Sequence, residues 1–84
     1  MIGGFEQYRI GFRIMKEMIE TSLGKIWVTL LENGEMRVWW PHNARVGDAA
    51  ADVLRGRARW DPQTYGWYVS VKHRDSVHDE LSKL

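Results

Sequence analysis

The chain contains no cysteine, only two prolines and almost no net charge: twelve Lys and Arg face eleven Asp and Glu, for a formal charge of +1. Without cysteine there is no disulfide scaffold, no thiolate metal site and no thiol nucleophile, a composition compatible with a reducing compartment. Near-neutrality excludes a DNA mimic, which would need a large acidic excess, and supplies no global field toward nucleic acid or an anionic membrane. No apolar run approaches the length of a bilayer span, and the opening MIGGFEQYRI has neither the basic nor the apolar region of a secretory signal. The expectation is a cytoplasmic protein with no membrane partner.

Catalytic signals are also missing. The three histidines, His42, His73 and His78, form no H-x-x-x-H pair, and Ser70 near His73 lacks an orienting acid and an oxyanion site. Asp75, His78 and Asp79 fall on one face of a helix and would hold a metal weakly, but Asp75 reads more simply as a helix N-cap and the other two as solvated. There is no Walker loop and no G-x-G-x-x-G. Neither an enzyme, nor a cofactor, nor a metal site is expected.

What the chain has in abundance is large rings: five Trp, three Tyr and two Phe in 84 residues. A chain of this length forms a single domain, 1–84, that buries roughly 60 to 65% of its unfolded surface, so large side chains must carry the core. Burial of each large apolar side chain contributes about 1.5 to 3 kcal/mol.

The pattern resolves into elements. Tyr8, Ile10, Phe12 and Ile14 alternate with Arg9, Gly11 and Arg13, predicting a strand over 6–18. Thr21, Ser22 and Gly24 make a turn, and residues 25–32, β-branched and aromatic, predict a second strand. Asn33-Gly34 predicts a type I′ hairpin into a third strand, EMRVWW, which Pro41 ends. Asn43 then caps a helix with Val46, Ala50, Val53 and Leu54 on one face and Arg45, Asp48 and Asp52 on the other, with Gly56 at its C′ stop. Residues 57–60 and 67–71 read as short strands joined through Asp61, Pro62 and Gly66, and one or two helical turns over 75–81 close the chain. The predicted class is α+β, in the order β-β-β-α-β-β-α, an antiparallel sheet with the central helix packed on one face.

Strand alternation also predicts a surface. Ala58 and Trp60 must face opposite to Arg57 and Arg59, Trp39 opposite to Trp40, and Tyr68 opposite to Trp67, so one helix cannot cover every ring. The N-terminal segment or a homodimer partner would bury the remainder. Otherwise Arg37, Trp39, Arg57, Arg59 and Tyr68 form a mixed aromatic and basic face, the chemistry of a single-strand nucleic-acid platform. A local basic strip supports this. Between Arg55 and Arg74 stand Arg55, Arg57, Arg59, Lys72 and Arg74 against Asp61 alone, before an acidic tail.

Residues 38–71 resemble the HARP-like module of annealing-helicase and related DNA-remodelling proteins, and a small domain of plasmid and phage proteins. The motif positions are Trp40, Pro41, His42, Asn43, Gly56, Arg59, Trp60, Asp61, Pro62, Trp67 and Val69. His42 replaces the usual aromatic ring, one extra residue separates Gly56 from the Arg-Trp-Asp triplet, and Ser70 stands where proline is common. Most of the motif has a structural rationale. Trp60 and Trp67 would clamp the helix's alanine face, Asp61 would cap its own turn and Asn43 the helix. The resemblance implies association with DNA metabolism, so the leading expectation is a phage or mobile-element protein that binds DNA or a nucleoprotein complex without catalysis. The rival expectation is an anti-defence protein, of anti-CRISPR or anti-restriction type, that blocks a host protein complex with exposed Trp and Arg as hot spots.

Overall fold

A computed structural model describes residues 15–84. It contains β1 (Met15–Glu20), β2 (Lys25–Leu30), β3 (Met36–Trp39), α1 (Ala44–Leu54), β4 (Ala58–Asp61), β5 (Gly66–Val69) and α2 (Val71–Ser82). The fold is α+β, in the predicted element order. Among the described residues, five strands form one antiparallel sheet in the order β1-β2-β3-β5-β4.

Alternation divides the sheet into two faces. Ile19, Ile26, Val28, Met36, Val38 and Val69 point to one face and are buried there beneath both helices. From α1 the predicted stripe of Val46, Ala50, Val53 and Leu54 closes onto them, while Arg45, Asp48 and Asp52 are exposed. From α2, Val77 and Leu81 complete the core. No charged or polar residue is fully buried among the described residues.

The helix caps explain where α1 begins and ends. Asn43 has extended backbone, and its Oδ1 accepts from the backbone N–H groups of Arg45 and Val46 at 3.0 and 3.2 Å. Its Nδ2 donates to the Leu23 carbonyl at 3.2 Å, so one carboxamide starts the helix and ties it to the β1–β2 turn. At the other end Gly56, with φ of 77°, provides the left-handed residue that lets the Arg57 N–H reach the Leu54 carbonyl.

Several expectations are corrected. Described β1 starts at Met15 and runs two residues past 18; residues 6–14 of the predicted strand lie outside the described residues. The β2–β3 hairpin is not type I′, because only Gly34 has a positive φ, of 92°, and Asn33 does not. Leu31 accepts from Gly34 N–H at 2.9 Å and donates to the Glu35 carbonyl at 2.8 Å, giving a three-residue loop with its left-handed residue last. Asn33 instead uses its side chain, accepting from Glu35 N–H at 2.9 Å. The final helix is much longer than a turn or two. It starts at Val71 after Ser70, so Asp75 is an exposed residue inside it and not its N-cap, and β5 ends at Val69.

The Asn43 joint gives a two-step prediction. Asn43→Ala removes both the cap and the Leu23 bond and should cost about 2 kcal/mol, whereas Asn43→Asp keeps the cap oxygens and should cost about half of that. Urea unfolding of both variants checks it; equal losses would mean that the cap contributes nothing, and an unchanged Asn43→Asp that the bridge to Leu23 contributes nothing.

Candidate functional site: an open aromatic sheet face and a pocket at its edge

The register fixes which side chains share the face away from the helices. Trp27 stands directly opposite Trp39, with Met18 opposite Trp27 on the other side. In the next row Lys16, Thr29, Arg37, Tyr68 and Arg59 follow one another across all five strands. No described element packs on this face. Trp27 and Trp39 remain 40% and 38% exposed.

Arg37, Trp39, Arg59 and Tyr68 are thus brought together. The Arg59 guanidinium lies over the Tyr68 ring, 5.1 Å from its centre, and makes paired bonds of 3.1 and 3.3 Å to Glu35. This pairing holds the Glu35 carboxyl below its ordinary range, chiefly through the Arg59 hydrogen bond, and raises Arg59 by the same contact. Arg37 crosses the sheet surface beside Gly66, where a Cβ would stand 2.5 Å from its Nε, and donates to the carbonyls of Thr64 and Tyr65. It therefore braces the β4–β5 turn while its stem covers β5.

Arg57 is not on this face. It precedes β4 and turns into the helical layer, where Nε donates to the Val53 carbonyl at 3.0 Å and the two terminal nitrogens each donate to Glu80 at 2.9 Å. Strict alternation fails because the chain is still leaving the Gly56 stop and Arg57 is not yet in a strand. Its role is to join the end of α1 to α2, and it lowers the Glu80 carboxyl by hydrogen bonding.

The motif residues behave as structural parts with one correction. Trp40 and Trp67 pack against the core, and Asp61 caps its turn by accepting from Gln63 N–H at 3.0 Å and the Thr64 hydroxyl at 3.1 Å. Trp60 faces the same side of the sheet as Trp67 but does not clamp the helix, because it sits on edge strand β4 and remains 45% exposed. Pro41 follows β3 as expected of a strand terminator.

Trp60 instead lines a cavity of about 290 Å³ at the end of the sheet, together with Trp39, Trp40, His42, Tyr65 and Trp67. Val38 forms part of its wall. The Trp60 and Trp67 rings lie 5.4 Å apart at 56°, and Trp60 meets Tyr65 nearly edge-on at 6.2 Å and 72°. Tyr65 has φ of 53°, the only non-glycine residue with positive φ among the described residues, and is 66% exposed. Holding a tyrosine there costs about 1 kcal/mol or more, which Gly would avoid.

Two parts of the site escaped the sequence reading. Trp27 was accessible to the same alternation that placed Trp39, since Ile26, Val28 and Leu30 demand the inner face. Tyr65 carried no such signal, because nothing in a turn sequence says where a ring will point. His78, weighed as a solvated residue, lies 2.9 Å from Glu17 through Nε2 and bridges α2 to β1. Among the described residues, no three His, Asp or Glu side chains converge as a metal would need, and no helix is long and apolar enough to cross a membrane.

Compared with known proteins, the chain matches no family model, no curated protein and no solved structure. The likeness to HARP-like modules rests on its motif residues alone.

Two stability predictions follow from this geometry. Trp67→Ala should cost about 3 kcal/mol as a core truncation, and Trp60→Ala no more than about 1 kcal/mol because its ring is largely outside the core; thermal melts of the two variants would show the gap. Glu80 is depressed by Arg57, so its contribution is fully present above the ordinary carboxylate value of 4.5 and disappears as pH falls through the lower folded value. Glu80→Gln should melt lower at neutral pH and lose less of its remaining stability on acidification below about pH 4.5 than the wild type does.

Proposed function

We propose that this chain is a non-enzymatic binding protein that engages single-stranded DNA, alone or in a nucleoprotein complex, through the open sheet face. The observation that carries the reading is the set of rings on one surface, the exposed pair Trp27 and Trp39 and the half-buried Tyr68 in the next row, interleaved with Arg37, Arg59 and Lys16. Rings offer stacking surfaces to any base, worth about 1 to 3 kcal/mol per base, and neighbouring cations hold the phosphates. An antiparallel sheet presents these groups in rows at strand spacing, so several nucleotides can be met at once. The HARP-like resemblance supports the same direction, and a phage or mobile-element protein acting in the cytoplasm is the setting it implies.

A second reading, a protein-interaction inhibitor of a host defence complex, is favoured by one specific feature. Arg59 is already paired with Glu35 and Arg37 is committed to two carbonyls, which leaves the face richer in rings than in unpaired cations. Aromatic and arginine residues are also the commonest hot spots of protein interfaces.

Titration of a fluorescent oligothymidine across a salt series separates the two. On the DNA reading, Tyr68→Ala and Trp39→Ala weaken binding by about 1 to 3 kcal/mol each, and Arg59→Ala flattens the salt dependence by about one phosphate contact. Arg57→Ala changes stability and leaves the affinity of the folded protein unaltered. Absence of oligonucleotide binding, with nuclease-resistant capture of a host protein that the same face variants abolish, would replace the DNA reading with the protein reading.

A further inference from the structure

The pocket at the sheet edge is distinct in shape from the open face and does not rest on the reading above. We infer that it is an aromatic cage for a methylated ammonium group, such as a trimethylammonium head. Three properties of the pocket point to this chemistry.

The first is ring orientation. A base sandwiched inside a pocket needs two nearly parallel ring faces, but Trp60 meets Trp67 at 56° and Tyr65 at 72°. Rings set at steep angles form a corner, which suits a compact group approached from several directions. A tetrahedral onium ion is such a group, and the ring faces attract it electrostatically.

The second is the absence of charge in the lining. Among the described residues, neither Lys nor Arg contributes to the wall to repel a cation, and neither Asp nor Glu does, so a bare ammonium would find no carboxylate there, only the His42 ring and the Tyr65 hydroxyl as side-chain acceptors. An unmethylated ammonium would exchange the water on its three strong donors for few acceptors and no carboxylate on entering. A quaternary ammonium has no donors to satisfy. The cavity, about 290 Å³, is also small, at the low end of ligand pockets, and has room for such a head and the start of its attached chain.

The third is the backbone of Tyr65. Its positive φ is a conformation that glycine adopts freely, and a tyrosine occupies it with the ring set against Trp60. The turn is fixed from both ends: Asp61 caps it and Arg37 grips the carbonyls of Thr64 and Tyr65. A strained residue that its surroundings hold in place, with two-thirds of its surface exposed beside a pocket, is an arrangement that packing alone does not call for.

The test follows the indole N–H signals and tryptophan fluorescence during titration at constant ionic strength. The probes are choline, its uncharged isostere 3,3-dimethylbutan-1-ol, adenosine, and paired short peptides carrying lysine or trimethyllysine. The expected result is saturable binding of choline and of the trimethyllysine peptide, with the isostere and the unmodified peptide weaker by about tenfold. Preference for the peptide over choline would identify the source as a modified protein, and the reverse a free small molecule; either supports the cage. Tyr65→Gly serves as the principal variant because it relieves the strained backbone: it should melt at or above the wild type and bind the cation more weakly. Trp60→Leu provides a second removal of a wall. Equal binding of choline and its isostere, binding of adenosine alone, no binding at all, or unchanged cation affinity in folded Tyr65→Gly would each overturn the inference. Oligonucleotide affinity in Tyr65→Gly is expected to be unchanged, which keeps this result separate from that of the sheet face.

Discussion

One carboxamide fixes where the first helix starts against the sheet. Asn43 starts α1 by accepting two backbone N–H groups and anchors that start to the β1–β2 turn through Leu23. The joint is tight as well as bonded: a Cβ on Gly24 would stand 2.7 Å from Asn43 Nδ2 and 2.8 Å from Val46 Cγ2. Once the helix start is pinned, the positions of Val46, Ala50, Val53 and Leu54 over the sheet follow from the helical repeat, and Gly56 determines where the chain leaves for β4. The far end of the helical layer is held differently. There Arg57 spans the Val53 carbonyl and Glu80, and His78 and Arg74 extend from α2 to Glu17 on β1 and to the Gly34 carbonyl.

These polar links are why the second helix was hard to read in the sequence. Val77 and Leu81 are its only fully buried apolar residues, and Arg74 and His78, which lie on the same side, spend their heads on sheet partners instead of showing apolar character. A hydrophobic stripe that is half polar looks like a solvated segment until its partners are known. The first helix was legible for the opposite reason: its cap, its aliphatic stripe and its glycine stop are all local signals.

The site divides along the same line. Facing is a local property of a strand, so Trp39, Arg59 and Tyr68 could be assigned to one surface from alternation, and Trp27 with them. Arg57 could not, because whether a residue next to a glycine stop has entered its strand depends on the path of the chain through three dimensions. The exposure of Trp60 also depends on strand order. It follows from β4 being at the sheet edge with β5 inside it, an order that no local pattern contains.

That strand order has a consequence for how the molecule assembles. Of the four ladders among the described residues, three, β1–β2, β2–β3 and β4–β5, join strands that are neighbours in sequence, whereas β3–β5 bridges across the whole of α1 and β4. Hairpins close in microseconds, whereas within the sheet distant segments come together only where Val38 meets Trp67. Among the sheet ladders of the described residues this pairing carries the largest loop-closure cost, and α1 with β4 is the segment that has to close. The helix that caps one side of the core thereby also acts as a spacer, and lengthening or loosening it would slow folding before it altered the finished structure.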